Sequence, residues 1–389
     1  MKTITDTLFS ILRNALFDEV LAEETKVQAS DNAEILFKIS KKHDLAHLAA
    51  YAFEKNGIEI QDETLKNKFK RSHFVSVIRY ERIVYDFNKI VEVLEEEKID
   101  FVPLKGSVIR ELYPEPWMRS SCDIDILVKE EDLDRAVNVL CEKASFSCDN
   151  KRDFHDVSLF SEGGTHLELH FNIMENMKQM DNVLSKVWQY AKPSAEGSSM
   201  YKLQTEFLIF HILAHMSYHV INGGSGIRSF VDLYLLEKKA EYDDEVLREI
   251  CNEGGLSAFK TKSEQLSSVW MENKEHNDET KMYENFILGG GVYGSLEAAS
   301  AIKHVTMGSK GKYIMSRVFQ PYNILKEKYP VLRKHKWLTP AFQVRRWFSI
   351  MTSDKKKLAP EIFKAGSSVS KEKTAQNLAF LKSVGLDDK

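Results

Sequence analysis

The sequence predicts an α+β protein in which a small mixed-sheet core is flanked by N- and C-terminal helical regions. Two observations support this fold class. Apolar residues recur at helical spacing through residues 1–97 and 201–389. Between them, residues 98–200 contain short segments in which polar and aliphatic residues alternate, as they do in half-buried strands. We therefore expect an N-terminal helical region, an α/β core and a C-terminal helical region with these boundaries.

The N-terminal region contains two predicted helical segments. Asp31 and Glu34 resemble a capping box ahead of an apolar-periodic run, which predicts that a helix begins there. A longer helix is expected from about residue 65 to residue 97. The apolar residues expected on its buried side are Phe74, Val77, Ile78, Val84, Tyr85, Phe87, Ile90, Val91 and Leu94.

The α/β core is predicted from changes in the period of the apolar pattern. Its expected elements are a strand at 99–104, a short helix from Val108 that Pro114 and Pro116 end, a strand at 123–128, a helix at 130–143, and strands at 156–160 and 166–171. Glycines at 163 and 164 indicate a hairpin turn between the last two strands.

The composition is typical of a globular protein: 43% of the 389 residues are hydrophobic, 29% are charged, and the formal net charge is −4. The chain as a whole is therefore not a polycation. The four cysteines form no CxxC pair, so neither a zinc site nor a disulfide framework is expected. The start of the chain lacks a signal-peptide pattern, and no apolar run is long enough to span a membrane. We expect a cytoplasmic protein.

The segment 122–128, CDIDILV, places two carboxylates on one face of a strand. Because successive side chains alternate, Asp123 and Asp125 share a face and lie about 6.5–7 Å apart at Cα. Such a pair can hold divalent ions about 3.5–4 Å apart, the spacing used in phosphoryl transfer. The alternative is a strand end whose acids only face water.

Two further segments fit the same chemistry. Lys105, Gly106 and Ser107 lie between a predicted strand and a helix start, where glycine, free amides, a hydroxyl and a positive charge favour phosphate. In the segment 166–171, Glu168 shares a strand face with two histidines and can supply a third carboxylate. Taken alone, the first segment is also compatible with an ordinary turn and the second with a half-exposed strand.

The order of these segments resembles the nucleotidyltransferase fold shared with DNA polymerase beta. More closely, the chain resembles the bacterial group called nucleotidyltransferase family 5. The resemblance covers roughly residues 30–350. It rests on PLKG at 103–106, LYP at 112–114, Arg119, DIDILV at 123–128, LELH at 167–170, IRSFVD at 227–232 and, more loosely, Tyr329-Pro330 and Arg345.

The resemblance implies an enzyme that uses Mg²⁺ or Mn²⁺ to transfer a nucleoside monophosphate from a nucleoside triphosphate, such as ATP, to a hydroxyl acceptor of unknown identity. The residues it assigns to catalysis and metal binding are Asp123, Asp125 and Glu168. The resemblance assigns Gly106 and Ser107 to the β/γ-phosphates. Lys105, Arg119 and Arg228 are predicted from their charge to bind the nucleotide phosphates as well, with an exposed loop arginine as the alternative for Arg119. The fifteen residues between Ser107 and Asp123 exceed the usual separation in the superfamily.

Other signals leave alternatives open. His211, His215 and His219 are spaced four apart on a predicted helix, where they could chelate a metal in pairs but more simply line a cleft or are partly buried. Arg228 and Asp232 could pair with each other, or Arg228 could hold triphosphate. The GxGxxG match at 289–294 follows no strand, so we interpret it as a loop.

The stretch 301–360 carries fourteen Lys or Arg residues against two acids. Apolar residues recur within it at helical spacing. The simplest interpretation is an amphipathic helix with a solvated basic face, and the alternatives are contact with an anionic partner such as nucleic acid, or with a membrane surface.

Two rival functions remain at this stage. A glycosyltransferase could use the Asp-x-Asp pair to bind a nucleotide sugar, but it normally needs a nucleotide-binding α/β half before the acids, where this chain is predicted to be helical. A non-catalytic protein could keep the fold to bind a nucleotide or a partner.

Overall fold

The computed structural model describes residues 3–152, 154–291, 315, 319–322, 325–326, 329, 331–352 and 371–387. Within them, helices precede and follow a five-stranded sheet, as the sequence predicts. The helices, in chain order, are α1 (Ile4–Phe17), α2 (Glu23–Asp31), α3 (Ala33–Lys42), α4 (Ala46–Lys55), α5 (Glu63–Glu96), α6 (Gly106–Ile109), α7 (Leu133–Lys143), α8 (Lys178–Leu184), α9 (Thr205–Ile221), α10 (Ile227–Lys239), α11 (Asp244–Glu253), α12 (Ser257–Glu272), α13 (Asp278–Gly290), α14 (Val331–Lys334), α15 (Thr339–Thr352) and α16 (Lys371–Ser383).

The main sheet is mixed. Its strands are β1 (Phe101–Pro103), β2 (Asp123–Val128), β3 (Phe146–Arg152), β4 (Asp156–Ser161) and β5 (His166–His170). They lie in the order β1-β2-β5-β4-β3, and only the central β2–β5 pair is parallel. A separate two-stranded sheet pairs β6 (Ala191–Pro193) with β7 (Tyr201–Leu203). This architecture confirms the predicted α+β fold with helical flanks.

The two faces of the main sheet have different partners. On one face, aliphatic residues of β2 and β5 pack with α5 and α7 into a buried cluster. On the other face, Leu127 joins a larger apolar cluster built from the N-terminal helices and from α9 to α13. The helices of both flanks therefore share one core. That second face also carries the acidic residues, so they lie where the sheet meets the helices.

The buried side of α5 differs from the prediction. Phe74, Ile78 and Tyr85 were expected inside, but they are 66%, 50% and 67% exposed. In the middle of this 34-residue helix the buried side is narrow and partly polar. It includes Ser76, whose hydroxyl donates a hydrogen bond to the Trp117 carbonyl oxygen. The side of α5 that the apolar pattern predicts to be buried is therefore wider than the side that is buried in the structure.

Strand β3 was not predicted. It pairs only with β4, at the edge of the sheet, and after Phe146 its residues are polar or charged apart from one cysteine. Edge strands commonly carry such residues, so an alternating apolar pattern is absent. Helix α15 begins at Thr339, and α13 ends at Gly290, so the first two glycines of the match at 289–294 are helical and not in a loop as expected.

Two predictions concern segments that the structure describes only in part. Residues 292–294 of the GxGxxG match and half of the basic stretch 301–360 lie outside the described residues. Within the described residues, no helix is long and apolar enough to cross a membrane. Between residues 3 and 97 the structure describes helices and no strand, so the nucleotide-binding α/β half that a glycosyltransferase would need is not found there.

Candidate active site

The parallel pairing of β2 with β5 sets the positions of the acids. Asp125 is the register partner of Glu168, and Asp123 is the partner of His166. Neighbouring side chains in register point to the same face of a sheet. Since Ile124 and Ile126 fill the opposite face, the carboxylates point towards the C-terminal helices.

His170 joins two of these carboxylates. Its Nε2 atom lies 3.1 Å from Asp125 Oδ1 and 3.5 Å from Glu168 Oε2. The possible ligand atoms of Asp125, Glu168 and His170 all lie within 4.8 Å of one another. Among the described residues, this is the one group of three or more acidic, histidine or cysteine side chains arranged closely enough to hold a metal ion.

Lys105 places a positive charge against the same cluster. The Leu104 amide donates to the Asp125 carbonyl oxygen at 3.0 Å, which continues the pairing of β1 with β2 up to the turn. Lys105 then adopts a φ of 40°, a conformation that costs a non-glycine residue about 1–3 kcal/mol. Its ammonium nitrogen lies 3.0 Å from Asp125 Oδ1. A backbone strained in this way next to paired acids is typical of a functional site.

The four side chains shift one another's protonation. Burial opposes ionisation of Asp125, but the Lys105 charge and the His170 hydrogen bond outweigh it and hold the pKa of Asp125 well below its usual range. The hydrogen bond from His170 lowers the pKa of Glu168 against the effect of burial. Burial disfavours the imidazolium of His170, but its two carboxylate partners raise its pKa overall. Both carboxylates are therefore ionised at neutral pH.

Asp123 lies beside this cluster rather than inside it. Its carboxylate accepts a hydrogen bond from the Ser121 hydroxyl at 2.8 Å. It is partly exposed and lines the same cleft as Asp125 and Glu168. The structure thus brings all three predicted acids to one cleft, and the role of Asp123 as a ligand stays a prediction.

Gly106 and Ser107 begin the short helix α6 next to this cleft. The Ser107 hydroxyl is buried and has no hydrogen-bond partner among the described residues. Gly106 is packed so tightly that a Cβ atom there would lie 2.3 Å from Arg119 Nη1. This close approach explains why a glycine occupies position 106. Phosphate binding by Gly106 and Ser107 stays a prediction.

Gly106→Ala is expected to destabilise the protein by about 1–3 kcal/mol, because the added methyl group displaces the buried Arg119 guanidinium. Urea unfolding of the purified variant measures this loss. Gly57→Ala is not a suitable control because Gly57 has a positive φ, but Gly289→Ala meets no atom within 4 Å and should cost less. Equal losses at both positions would contradict the steric explanation.

Arg119 is held by an acid from α10. Its Nη2 atom donates to Asp232 Oδ2 at 2.8 Å, and the Tyr113 hydroxyl donates to Asp232 Oδ1 at 2.7 Å. Burial disfavours the Arg119 cation, but Asp232 more than compensates and raises its pKa. The ion pair between Arg119 and Asp232 links the long segment between Ser107 and Asp123 to the C-terminal helices.

Arg228 pairs with a different acid. It lies 3.0 Å from Asp44 Oδ2 and donates to the Ser120 carbonyl oxygen at 2.8 Å. The suggested pairing of Arg228 with Asp232 is therefore wrong, because each has another partner. Asp44, in the turn between α3 and α4, also accepts a hydrogen bond from the Ser120 hydroxyl. Arg228 still lines the cleft, as a phosphate-binding residue must.

These residues surround a cleft of about 270 Å³, which we call the acid cleft. Its charged lining consists of Lys105, Arg119, Arg228, Asp123, Asp125, Glu168 and Asp232. Four carboxylates against three cations leave the lining net negative, which repels a triphosphate unless further positive charge is added. Carboxylate oxygens are the ligands that Mg²⁺ prefers, and an imidazole is compatible with Mn²⁺. The donor set therefore fits a divalent cation.

A second and smaller cavity adjoins the acid cleft. We call it the histidine cavity; its lining includes His155, His170, His211, His215, His219 and Glu175, and its volume is about 160 Å³. Lys105, Glu168, His215 and His219 line both spaces. The three histidines of α9 thus line a cleft, which confirms the simpler interpretation of their spacing.

Sequence reasoning missed three of the residues that build the site. Alternation placed His170 on the strand face of Glu168, but it gave this histidine no role in the site. Asp44 and Tyr113 carry no comparable signal, because their partners are 76 or more residues away in the chain. Such contacts depend on how the helices pack against the sheet.

A fold of this kind, with acids on two adjacent central strands beside a strained strand-to-helix turn, defines a candidate nucleotidyl-transfer enzyme. The family model described as "Uncharacterised nucleotidyltransferase" matches residues 29–272, more than half of the chain. The chain therefore belongs to this nucleotidyltransferase family, and membership supports nucleotidyltransferase activity. Comparison with curated proteins and with solved structures gave no significant match.

Proposed function

We propose that the protein is a metal-dependent nucleotidyltransferase that transfers a nucleoside monophosphate from a nucleoside triphosphate to a hydroxyl. The observation that supports this most directly is the cluster of Asp125, Glu168 and His170 beside Lys105. Family membership supports the class of reaction. The metal, the triphosphate and the roles of individual residues are part of the proposal.

Asp123, Asp125 and Glu168 would hold Mg²⁺ or Mn²⁺, with His170 next to them. Such an ion supplies positive charge that neutralises the phosphates and the leaving pyrophosphate. Asp125 and Glu168 are suited to this role because both are ionised and fixed by backbone pairing, so little reorganisation is needed.

Lys105, Arg119 and Arg228 would orient the triphosphate along the acid cleft, with Gly106 and Ser107 at its end. Each of these cations is already paired with an acid, at Asp125, Asp232 and Asp44 respectively. These pairs fix the side chains, so the guanidinium and ammonium groups are held in place before a ligand arrives.

In the reaction, the acceptor oxygen bonds to the α-phosphorus while the bond from this phosphorus to the bridging oxygen of pyrophosphate breaks. Pyrophosphate departs with that electron pair. The acceptor's proton would pass to Glu168, the carboxylate that reaches both the acid cleft and the histidine cavity. Catalysis in this scheme is mainly positioning and charge neutralisation.

The first experiment measures thermal stabilisation by ATP, GTP, CTP and UTP, each with and without Mg²⁺. At least one triphosphate should raise the melting temperature in a metal-dependent way, because a ligand that binds only the folded state stabilises it. Asp123→Asn combined with Asp125→Asn should abolish this shift, and the melting temperature without ligand reports whether the variant folds. The single variant Asp123→Asn, which disturbs no buried ion pair, serves if the double variant does not fold.

The absence of any metal-dependent shift in the wild-type protein would contradict the proposal. A shift without transfer of the labelled α-phosphate to any compound of a cell extract would instead favour a non-catalytic nucleotide-binding protein.

A further inference from the structure

The histidine cavity opens next to the residues that would carry out the reaction. Glu168 and Lys105 line it together with the acid cleft, and His215 and His219 stand at the same boundary. A molecule bound there would lie against the carboxylate to which we assign the acceptor proton. If the triphosphate occupies the acid cleft, the histidine cavity is therefore the adjoining space from which an acceptor can reach it.

Two of the histidines that line this cavity each have a buried imidazole nitrogen without a hydrogen-bond partner among the described residues. His170 and His211 are only 3% and 1% exposed, and the Nδ1 atom of each has no hydrogen-bond partner. A buried polar atom without a partner costs about 1–3 kcal/mol. Because both residues line the cavity, a polar occupant that reached these nitrogens would remove this cost, and an apolar one would not.

The remaining imidazoles are held in fixed orientations. Glu175 Oε1 lies 2.8 Å from His215 Nδ1, which makes this nitrogen the donor and leaves His215 Nε2 as an acceptor. His219 Nε2 lies 3.0 Å from His215 Nε2 and is therefore the donor in that contact. The Glu175 amide in turn donates to Asp181 at 2.8 Å. The cavity wall thus presents hydrogen-bonding groups in a defined pattern.

Charge narrows the class of occupant. Burial lowers the pKa of His211 and of His219 to about 3, so both are neutral at physiological pH. Glu168 and Glu175 face the same space and repel anions. Against these two carboxylates the lining offers one ammonium group, that of Lys105, which is paired with Asp125. Since His219 donates through Nε2 to His215, its Nδ1 atom is left as an acceptor, which the hydroxyl group of an occupant can satisfy.

The size of the cavity restricts the class of occupant further. About 160 Å³ is below the ~300–1,000 Å³ typical of pockets for drug-sized ligands. We propose that the histidine cavity is the acceptor subsite and that it takes a small, uncharged compound bearing several hydroxyl groups, of the polyol or sugar class. This assignment rests on the proposed nucleotidyl transfer.

The test uses the full-length protein and the triphosphate that gives the largest Mg²⁺-dependent thermal shift, labelled at the α-phosphate. Glycerol, glucose and inositol are the neutral candidate acceptors, with glycerol phosphate and ethanolamine as anionic and cationic counterparts. Met174 lines only the histidine cavity, so Met174→Trp or the smaller Met174→Phe should fill it. Met177→Trp is the matched control, because Met177 packs nearby against the core and lines neither space.

Wild-type protein should label at least one neutral compound and neither charged counterpart. Met174→Trp should reduce this transfer by about 100-fold, as expected when an acceptor is misplaced, while keeping the Mg²⁺–triphosphate shift. Met177→Trp should keep both. Normal transfer by the Met174 variants, an equal loss in Met177→Trp, or binding of triphosphate without labelling of any neutral compound would overturn the acceptor assignment alone. No metal-dependent triphosphate binding by the wild-type protein would overturn the proposed function itself.

Discussion

Glu168→Gln is expected to lower the rate of nucleotidyl transfer by roughly 10²–10⁴-fold, the range associated with loss of a general base. Glutamine keeps the shape of the side chain and can still accept a hydrogen bond from His170, so the sheet should be undisturbed. Release of pyrophosphate and incorporation of label, followed with the acceptor identified above or with a cell extract, measure the effect.

Glu162→Gln provides the matched control. Glu162 lies at the turn between β4 and β5, close to Glu168 in the chain, but it is exposed and lines neither the acid cleft nor the histidine cavity. It should transfer at the wild-type rate. If the Glu168→Gln enzyme keeps more than half of the wild-type rate, Glu168 is not the group that accepts the proton.

Replacement of Asp232 by leucine should destabilise the protein by about 3–5 kcal/mol. The substitution leaves the Arg119 guanidinium buried without its counter-ion, with only 7% of its side chain exposed. Combining Arg119→Met with Asp232→Leu should recover much of this loss, because an apolar pair can replace a buried ion pair at little cost. The Tyr113 hydroxyl loses its acceptor in either case, so full recovery is not expected.

Denaturant unfolding of the two single variants and the double variant gives the coupling energy between these side chains. Arg248→Ala, which breaks an exposed pair with Glu245, is the control and should change stability little. A double variant less stable than Asp232→Leu alone would mean that the ion pair is not the cause of the loss.

The central part of the site could be predicted from the sequence because each acid lies in a short strand with a clear alternation of polar and apolar residues. Asp123, Asp125 and Glu168 lie on strands whose alternation assigns each side chain to a face. The neighbouring aliphatic residues identify the buried face, and burial of Ile124 and Leu167 in one cluster agrees with it. What alternation cannot give is register, and it is register that places Asp125 directly beside Glu168.

The surroundings of the site could not be predicted in the same way. The sequence identified Arg119 and Arg228 but not their partners, since Asp232 on α10 and Asp44 in the turn between α3 and α4 are each more than 100 residues from the arginine they bind. The helical pattern also could not tell which part of α5 meets the sheet, so Phe74 and Tyr85 were placed inside. Both depend on the packing of long elements, which local periodicity does not encode.

The parallel contact between β2 and β5 has a consequence for how this chain can vary. Parallel neighbours need a crossover, and here α7, β3 and β4 form the excursion that joins them. Since the two strands are aligned by their own backbone hydrogen bonds, the length of that excursion does not set the distance between Asp125 and Glu168. Closing a flexible loop twice as long costs only about 0.6 kcal/mol. Insertions after Lys143 should therefore be tolerated while the spacing of the two acids is preserved.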